Sequence, residues 1–232
     1  MQFGRAFSYI ITERDWIGKL GVIAVLTFAA VFMMILIGLG FIPLAVLIGY
    51  MLRIMQQVRH NQKPMLPEWD SAGDLLALGS RVLPALIVYN LPLVLMSLCL
   101  LLVPGAFRSE TTDALATLTS LICLLPLMIL YVAITWPMLA VACARYMGDG
   151  TPNEFFKFGL LYETSSAIRA ESIQWFLSVV AVLVIAFMLL FIPFIGWLAI
   201  AMLFFPVQGH LLGQYARLLD AHRKRKNAAL RT

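Results

Sequence analysis

Four long stretches of this chain contain no Asp, Glu, Lys or Arg: Leu20 to Leu52, Val82 to Phe107, Ala114 to Ala144 and Ser172 to Ala216. A helix needs about 20 largely apolar residues to cross a hydrocarbon core of about 30 Å. The first stretch would be about 50 Å long as one straight helix, more than tilt absorbs. It breaks at Gly38-Leu39-Gly40-Phe41-Ile42-Pro43, where glycine weakens the helix and proline cannot donate the backbone bond that continues it. The last stretch has the same device in Phe191-Ile192-Pro193-Phe194-Ile195-Gly196-Trp197. Six spans follow, at about 19–37, 41–58, 82–103, 116–144, 173–192 and 195–216. The unbroken apolarity excludes a transmembrane β-barrel, whose strands alternate over about ten residues. It also makes the first run too long for the core of a cleavable signal, so the first span is expected to be retained.

The polar segments between the runs predict short interfacial helices. A hydroxyl residue followed three positions later by a carboxylate marks a helix start, and this occurs at Thr12 with Asp15, Ser71 with Asp74, and Thr151 with Glu154. Pro152 strengthens the third, because a missing amide costs nothing at the first helical position. Amphipathic helices at 1–18, 71–80 and 152–165 are therefore expected to lie along the membrane surface. Trp16 and Trp175 would anchor the spans that follow at headgroup depth. Interfacial helix, tryptophan, span, proline break, span and arginine occur in that order at both ends, closing on Arg53 and Arg217; the unequal spacings allow only a suggestion of duplication.

Charge decides the orientation. With six spans, all of the 17 Lys and Arg residues except Arg108 fall on one side, and basic residues favour the cytoplasm. Both termini are expected there, in a cell inner membrane. A four-span model would put the second basic loop opposite the N-terminus. Composition agrees: 62% of residues are hydrophobic and 12% charged, far from a soluble domain. The net charge of +5 then needs no nucleic-acid partner, since it meets anionic lipid headgroups. The tail 217–232, with Arg223, Lys224, Arg225 and Lys226, reads as the last topology signal and a headgroup contact.

The loop Leu66-Pro67-Glu68-Trp69-Asp70, continuing to Gly73-Asp74-Leu75 and Gly79, resembles the signature of a membrane family catalogued as domain of unknown function 4013. Gly49-Tyr50 with Arg53, Ala144-Arg145-Tyr146, and Gly209-His210-Leu211-Leu212-Gly213-Gln214 are similar to other parts of it, over roughly residues 16 to 220. The resemblance implies a polytopic all-α membrane bundle and brings no activity.

Candidate sites are sparse. Glu68, Asp70 and Asp74 could hold a hard cation, or with Trp69 dock a partner; the plainer reading is a helix start beside an interfacial anchor. His210, with Gln208 and Gln214 nearby, suits interhelical hydrogen bonding or a polar solute. Gly209 and Gly213 would admit a neighbouring helix. Asn90 before Pro92 suits a kink and one interhelical hydrogen bond. His60 and His222 have no companion ligands in spacing, and Cys99, Cys123 and Cys143 read as packing residues. No cofactor, metal or catalytic constellation is expected. The four apolar runs lack the Asp, Glu, Lys and Arg residues that mark ion-coupled transport. The expected function is therefore a non-enzymatic scaffold, assembly factor or accessory subunit that binds another membrane protein. The alternative is a permease or lipid-handling protein for an apolar or neutral solute.

Overall fold

The computed structural model describes residues 4–13, 15–37, 39–62, 66–69, 71–105 and 110–229. Its helices are α1 (Arg5–Thr12), α2 (Trp16–Ile37), α3 (Phe41–His60), α4 (Ala72–Gly105), α5 (Glu110–Asp149), α6 (Phe158–Ala167), α7 (Arg169–Leu190) and α8 (Ile195–Ala229), with a 3₁₀ helix at Pro152–Phe156. Six of them, α2 to α5, α7 and α8, are long and apolar enough to cross a membrane. The chain is an all-α membrane bundle of antiparallel hairpins. The apolar breaks fall as expected: α7 ends at Leu190 and α8 starts at Ile195, and the Trp197 indole N–H donates to the Leu190 carbonyl at 3.0 Å, occupying an orphaned helix-end acceptor.

α3 and α8 form the centre, with α2, α4, α5 and α7 around them. Glycine lets these backbones meet. A Cβ on Gly79 of α4 would overlap the Ala45 carbonyl of α3, and one on Gly49 would overlap the Leu75 carbonyl. Gly209 and Gly213 of α8 do the same against α3, at Met51 and Ile54, and at Met55 and Val58. Small residues at a crossing buy close approach where lipid gives no hydrophobic drive between helices.

The core is confined to one end, the end that carries α1, the 60–72 connection and the C-terminal part of α8. There α3 buries Leu47, Tyr50, Leu52, Ile54, Met55 and Val58, α5 buries Met138 to Ala144 apart from Leu139, and α8 buries Leu211, Tyr215, Ala216 and Leu219. This end is called the basic end below. At the far end, residues 31–36, 91–98, 121–130 and 184–195 present exposed large apolar side chains.

Several local expectations are corrected. The segment 71–80 is no separate surface helix: α4 runs unbroken from Ala72, and Leu75 and Gly79 are buried on α3. Gly79 is favoured there for close contact, so nothing turns the chain aside before Val82. Thr12 starts no helix; it ends α1, its hydroxyl donating to the Ser8 and Tyr9 carbonyls, and Asp15 turns the chain at φ 63°. Residues 152–165 form two elements, broken at Lys157, whose ψ of 58° lies outside the helical range. Thr151 makes no side-chain cap; its backbone carbonyl accepts the Glu154 amide at 3.2 Å instead. α1 does not merely lie on the surface: Ala6, Tyr9 and Ile10 are buried against the bundle. The basic tail continues α8 as helix to Ala229.

Candidate functional site

The polar chemistry of the chain gathers at the basic end, in four arrangements. The first is the 66–69 loop, which folds back on α3. Leu66 is wholly buried, and its carbonyl accepts the Lys19 ammonium at 2.9 Å. The Pro67 carbonyl accepts the Tyr50 hydroxyl at 3.2 Å. Trp69 stacks on the Tyr50 ring, with centroids 4.5 Å apart and planes 9° from parallel. Trp69 is thus half-buried and held by packing on its neighbour. Glu68 points outward and is exposed, whereas Asp70 lies outside the described residues. Asp74 is exposed in the first turn of α4, where a carboxylate complements the helix dipole.

Two ion-paired clusters form the second arrangement and lock the ends of the helices. The Arg59 guanidinium grips Asp220 bidentately, both contacts at 2.7 Å, and donates a third bond to the Ala144 carbonyl at 2.7 Å. One side chain therefore ties α3, α5 and α8, and its planar fork suits that task better than an ammonium. At the foot of α5, Arg145 donates to Glu154 at 2.6 Å, and Lys157 pairs with the same carboxylate. Hydrogen bonds from Lys157 and then Arg145 hold the Glu154 carboxyl below its ordinary range. The pair also positions the 3₁₀ helix, whose buried Phe155 offers its carbonyl to the Tyr89 hydroxyl at 2.8 Å.

The third arrangement surrounds His210. Its ring is 4% exposed and stacks on Tyr9 of α1, centroids 4.4 Å apart, and Nδ1 has no hydrogen-bond partner among the described residues. The Tyr9 hydroxyl donates to the Pro206 carbonyl at 3.0 Å, so α1 covers α8 like a strap. Gln208 and Gln214 are half-buried on the same helix. Asn90 is remote, on α4, and its amide donates to Leu86 within its own helix at 2.8 Å. The interhelical bond expected of Asn90 is made next door instead, by the Tyr131 hydroxyl to the Tyr89 carbonyl at 2.8 Å. An i−4 acceptor within reach satisfies a short amide without a second helix.

The tryptophan anchors divide. Trp16 is half-buried against the core. Trp175 is 7% exposed with its ring 5.6 Å from Tyr215, whose hydroxyl lies 2.8 Å from Ser172 Oγ. Trp175 therefore faces the bundle, because its register on α7 places it beside Val179 and Val182 on the buried side. Arg223, Lys224 and Arg225 are exposed along the last turns of α8, and the Lys226 side chain lies outside the described residues.

The fourth arrangement is a polar pocket of about 450 Å³ lined by Arg53, Gln56, Gln57, His60 and Gln62. A second, apolar cleft lies between α7 and α8 beneath Phe7. Neither contains Asn90, Gln208, His210 or Gln214.

A model of the family described as protein of unknown function, DUF4013, matches residues 32–200. The chain belongs to that family. No curated protein and no solved structure matches it. Gly49 to Arg53, the Leu66 to Gly79 region and Ala144 to Tyr146 fall inside the DUF4013 match, and the structure gives these pieces one address. Tyr50 stacks on Trp69, Gly49 meets Leu75, Gly79 meets Ala45, and Tyr146 packs on Phe155 with centroids 5.4 Å apart. Gly209 to Gln214 lie beyond the match. Sequence reasoning missed Arg59, Asp220 and Gln57. Asp220 carried a signal, being the sole acid in the basic stretch from Arg217 to Arg231.

Proposed function

We propose that this DUF4013 chain is a non-enzymatic inner-membrane protein, with both termini in the cytoplasm, that acts by binding other membrane components as a scaffold, assembly factor or accessory subunit. The observation that supports this most is how the polar groups of the spans are used. Thr27 donates to Ile23 and Ala201, Asn90 to Leu86, Tyr131 to Tyr89 and Thr135 to Tyr131, while His210 is covered by Tyr9. Thr27 and Tyr131 thus tie helices together, Asn90 and Thr135 are satisfied within their own helices, and the accessible groups Glu68, Arg53, His60 and Arg223 to Arg225 stand at the basic end. Binding at that surface, with the basic residues against anionic headgroups, fits the arrangement. A permease would need Asn90, Gln208, His210 and Gln214 to share a passage, but Asn90 and the α8 residues are on separate helices and line neither cleft.

Crosslinking in native membranes, then purification through a C-terminal tag and mass spectrometry, tests this reading. Glu68→Lys is the better probe than Trp69→Ala, because Glu68 is exposed whereas Trp69 supports the loop. A stoichiometric membrane-protein partner that Glu68→Lys loses, with the variant still folded, supports the scaffold. Recovery of the chain alone, together with solute flux in reconstituted vesicles that His210→Ala abolishes, would replace it with the permease.

A further inference from the structure

Arg53, Gln56, Gln57 and His60 recur at the spacing of one helix face, and they replace an apolar lining with a polar one over the last two turns of α3. The opposite face, at Ile54, Met55 and Val58, is buried in the core. The stripe forms the wall of the 450 Å³ pocket, which Gln62 closes from below. Arg53 and His60 are exposed side chains there, and among the described residues no carboxylate lines the pocket. A helix C-terminus is ordinarily a poor place for an anion, but here the end carbonyls are occupied. The Gln62 amide donates to Gln57 at 2.9 Å and the Asn61 amide to Val58 at 3.3 Å, a Schellman closure with Asn61 at φ 55°. The Gln57 Oε1 atom is buried behind this wall, whereas the side chains of Gln56 and Gln62 are accessible in the pocket.

We propose that this pocket binds a phosphate ester that also carries free hydroxyls, with the headgroup of a phosphatidylglycerol-type lipid as its occupant. Arg53 takes the phosphate through its guanidinium fork, His60 adds a donor, and the side-chain amides of Gln56 and Gln62 meet the ligand hydroxyls. Depth favours the lipid over a soluble ester. At 1.5 Å per residue, Arg53 lies about 18 Å and His60 about 28 Å along α3 from Phe41, so the stripe ends at the edge of a hydrocarbon core about 30 Å thick, His60 lies beside the glycerol and phosphate layer, and the long Arg53 side chain reaches toward it by snorkelling. The inference is independent of the scaffold reading, since the pocket needs no protein partner.

The test is native mass spectrometry of the full chain in a mild detergent, titrated with phosphatidylglycerol, with phosphatidylmethanol, which has the same charge but no hydroxyl, and with phosphatidylcholine. Retention is expected in that order. Arg53→Gln should weaken phosphatidylglycerol on the order of tenfold, as loss of a charge-assisted pair does, and Arg53→Lys should restore part of it. Gln56→Leu should bring phosphatidylglycerol and phosphatidylmethanol closer together. Arg223→Gln with Arg225→Gln, on the exposed tail, should cost at most about twofold. Folding of each variant is checked by circular dichroism and size-exclusion chromatography. Soluble glycerol phosphate is then added as competitor: failure to displace the lipid supports the bilayer source, and displacement at equal concentration keeps the chemistry but moves the ligand to the water phase. Equal retention of phosphatidylcholine, or a tail variant as damaging as Arg53→Gln, would overturn the pocket as a site.

Discussion

The two ends of this bundle are built on opposite plans. At the basic end the helices cross closely, with glycine against backbone, a strap of α1 over α8, and ion pairs joining α3, α5 and α8. At the far end the same helices continue, yet Leu98 and Leu102 of α4, Ile122 and Ile129 of α5 and Phe187 and Leu190 of α7 stay exposed. In water such a surface would aggregate. In a bilayer it loses nothing, because lipid tails solvate leucine as well as another helix does. The difference teaches that folding specificity and membrane residence are separately encoded here: small and polar residues at one end make the fold, and bulk apolarity at the other keeps it in place.

The sharpest way to break that comparison is to force apart the close crossing. Gly79→Leu should destabilise the protein by about 3 kcal/mol or more through overpacking and leave little monodisperse protein in detergent. Gly18→Leu, where a Cβ meets nothing within 4 Å, should stay within about 0.5 kcal/mol. Matched truncations come next. Leu47→Ala, at a wholly buried site of α3, should cost about 2–5 kcal/mol in reversible unfolding in micelles, and Leu98→Ala, 47% exposed at the far end, less than about 0.5 kcal/mol. Equal costs would dissolve the distinction.

Ion-pair variants sharpen it further. Arg59→Gln leaves Asp220 without its fork and should cost about 2 kcal/mol, less than a fully buried pair because Asp220 is about a third exposed; the double variant with Asp220→Asn should recover part of this. A smaller effect is pH-dependent. The Glu154 carboxyl is held below its ordinary range in the fold, so its contribution is fully present above the ordinary carboxylate value and lost as pH falls through the lowered one. Unfolding midpoints measured from neutral pH down through that window should decline more in the wild type than in Glu154→Gln.

Much of this architecture was legible in the sequence, because the bilayer imposes length and apolarity on every span. The breaks at Gly38 to Pro43 and Phe191 to Trp197, the glycine pair at 209 and 213, and the six crossings all follow from local chemistry. The helix-start motif misled at Thr12, which ends α1; at Thr151 a 3₁₀ helix does start, without a side-chain cap, and its Glu154 carboxylate serves Arg145 and Lys157. The tryptophans misled because aromatic anchoring and aromatic packing use the same residue: Trp69 and Trp175 find Tyr50 and Tyr215, partners 19 and 40 residues away. The Arg59 to Asp220 pair joins positions 161 residues apart, and no local pattern announces it. The polar pocket was half legible, since Arg53, Gln56, Gln57 and His60 stand at helical spacing, but only the fold shows that one face of them is free.

One measurement bears most directly on the two-ended account: photolabelling of the protein in native membranes with a small apolar diazirine that partitions into the bilayer, mapped to residues by mass spectrometry. Carbene insertion is expected at 31–36, 91–98, 121–130 and 184–191, with 47–58, 138–146 and 207–219 spared apart from their exposed positions. Labelling of Tyr50, Val141 or Tyr215 as heavy as that of Ile35, Leu98 or Ile129 would mean that the basic end is not a packed core, and would contradict the account.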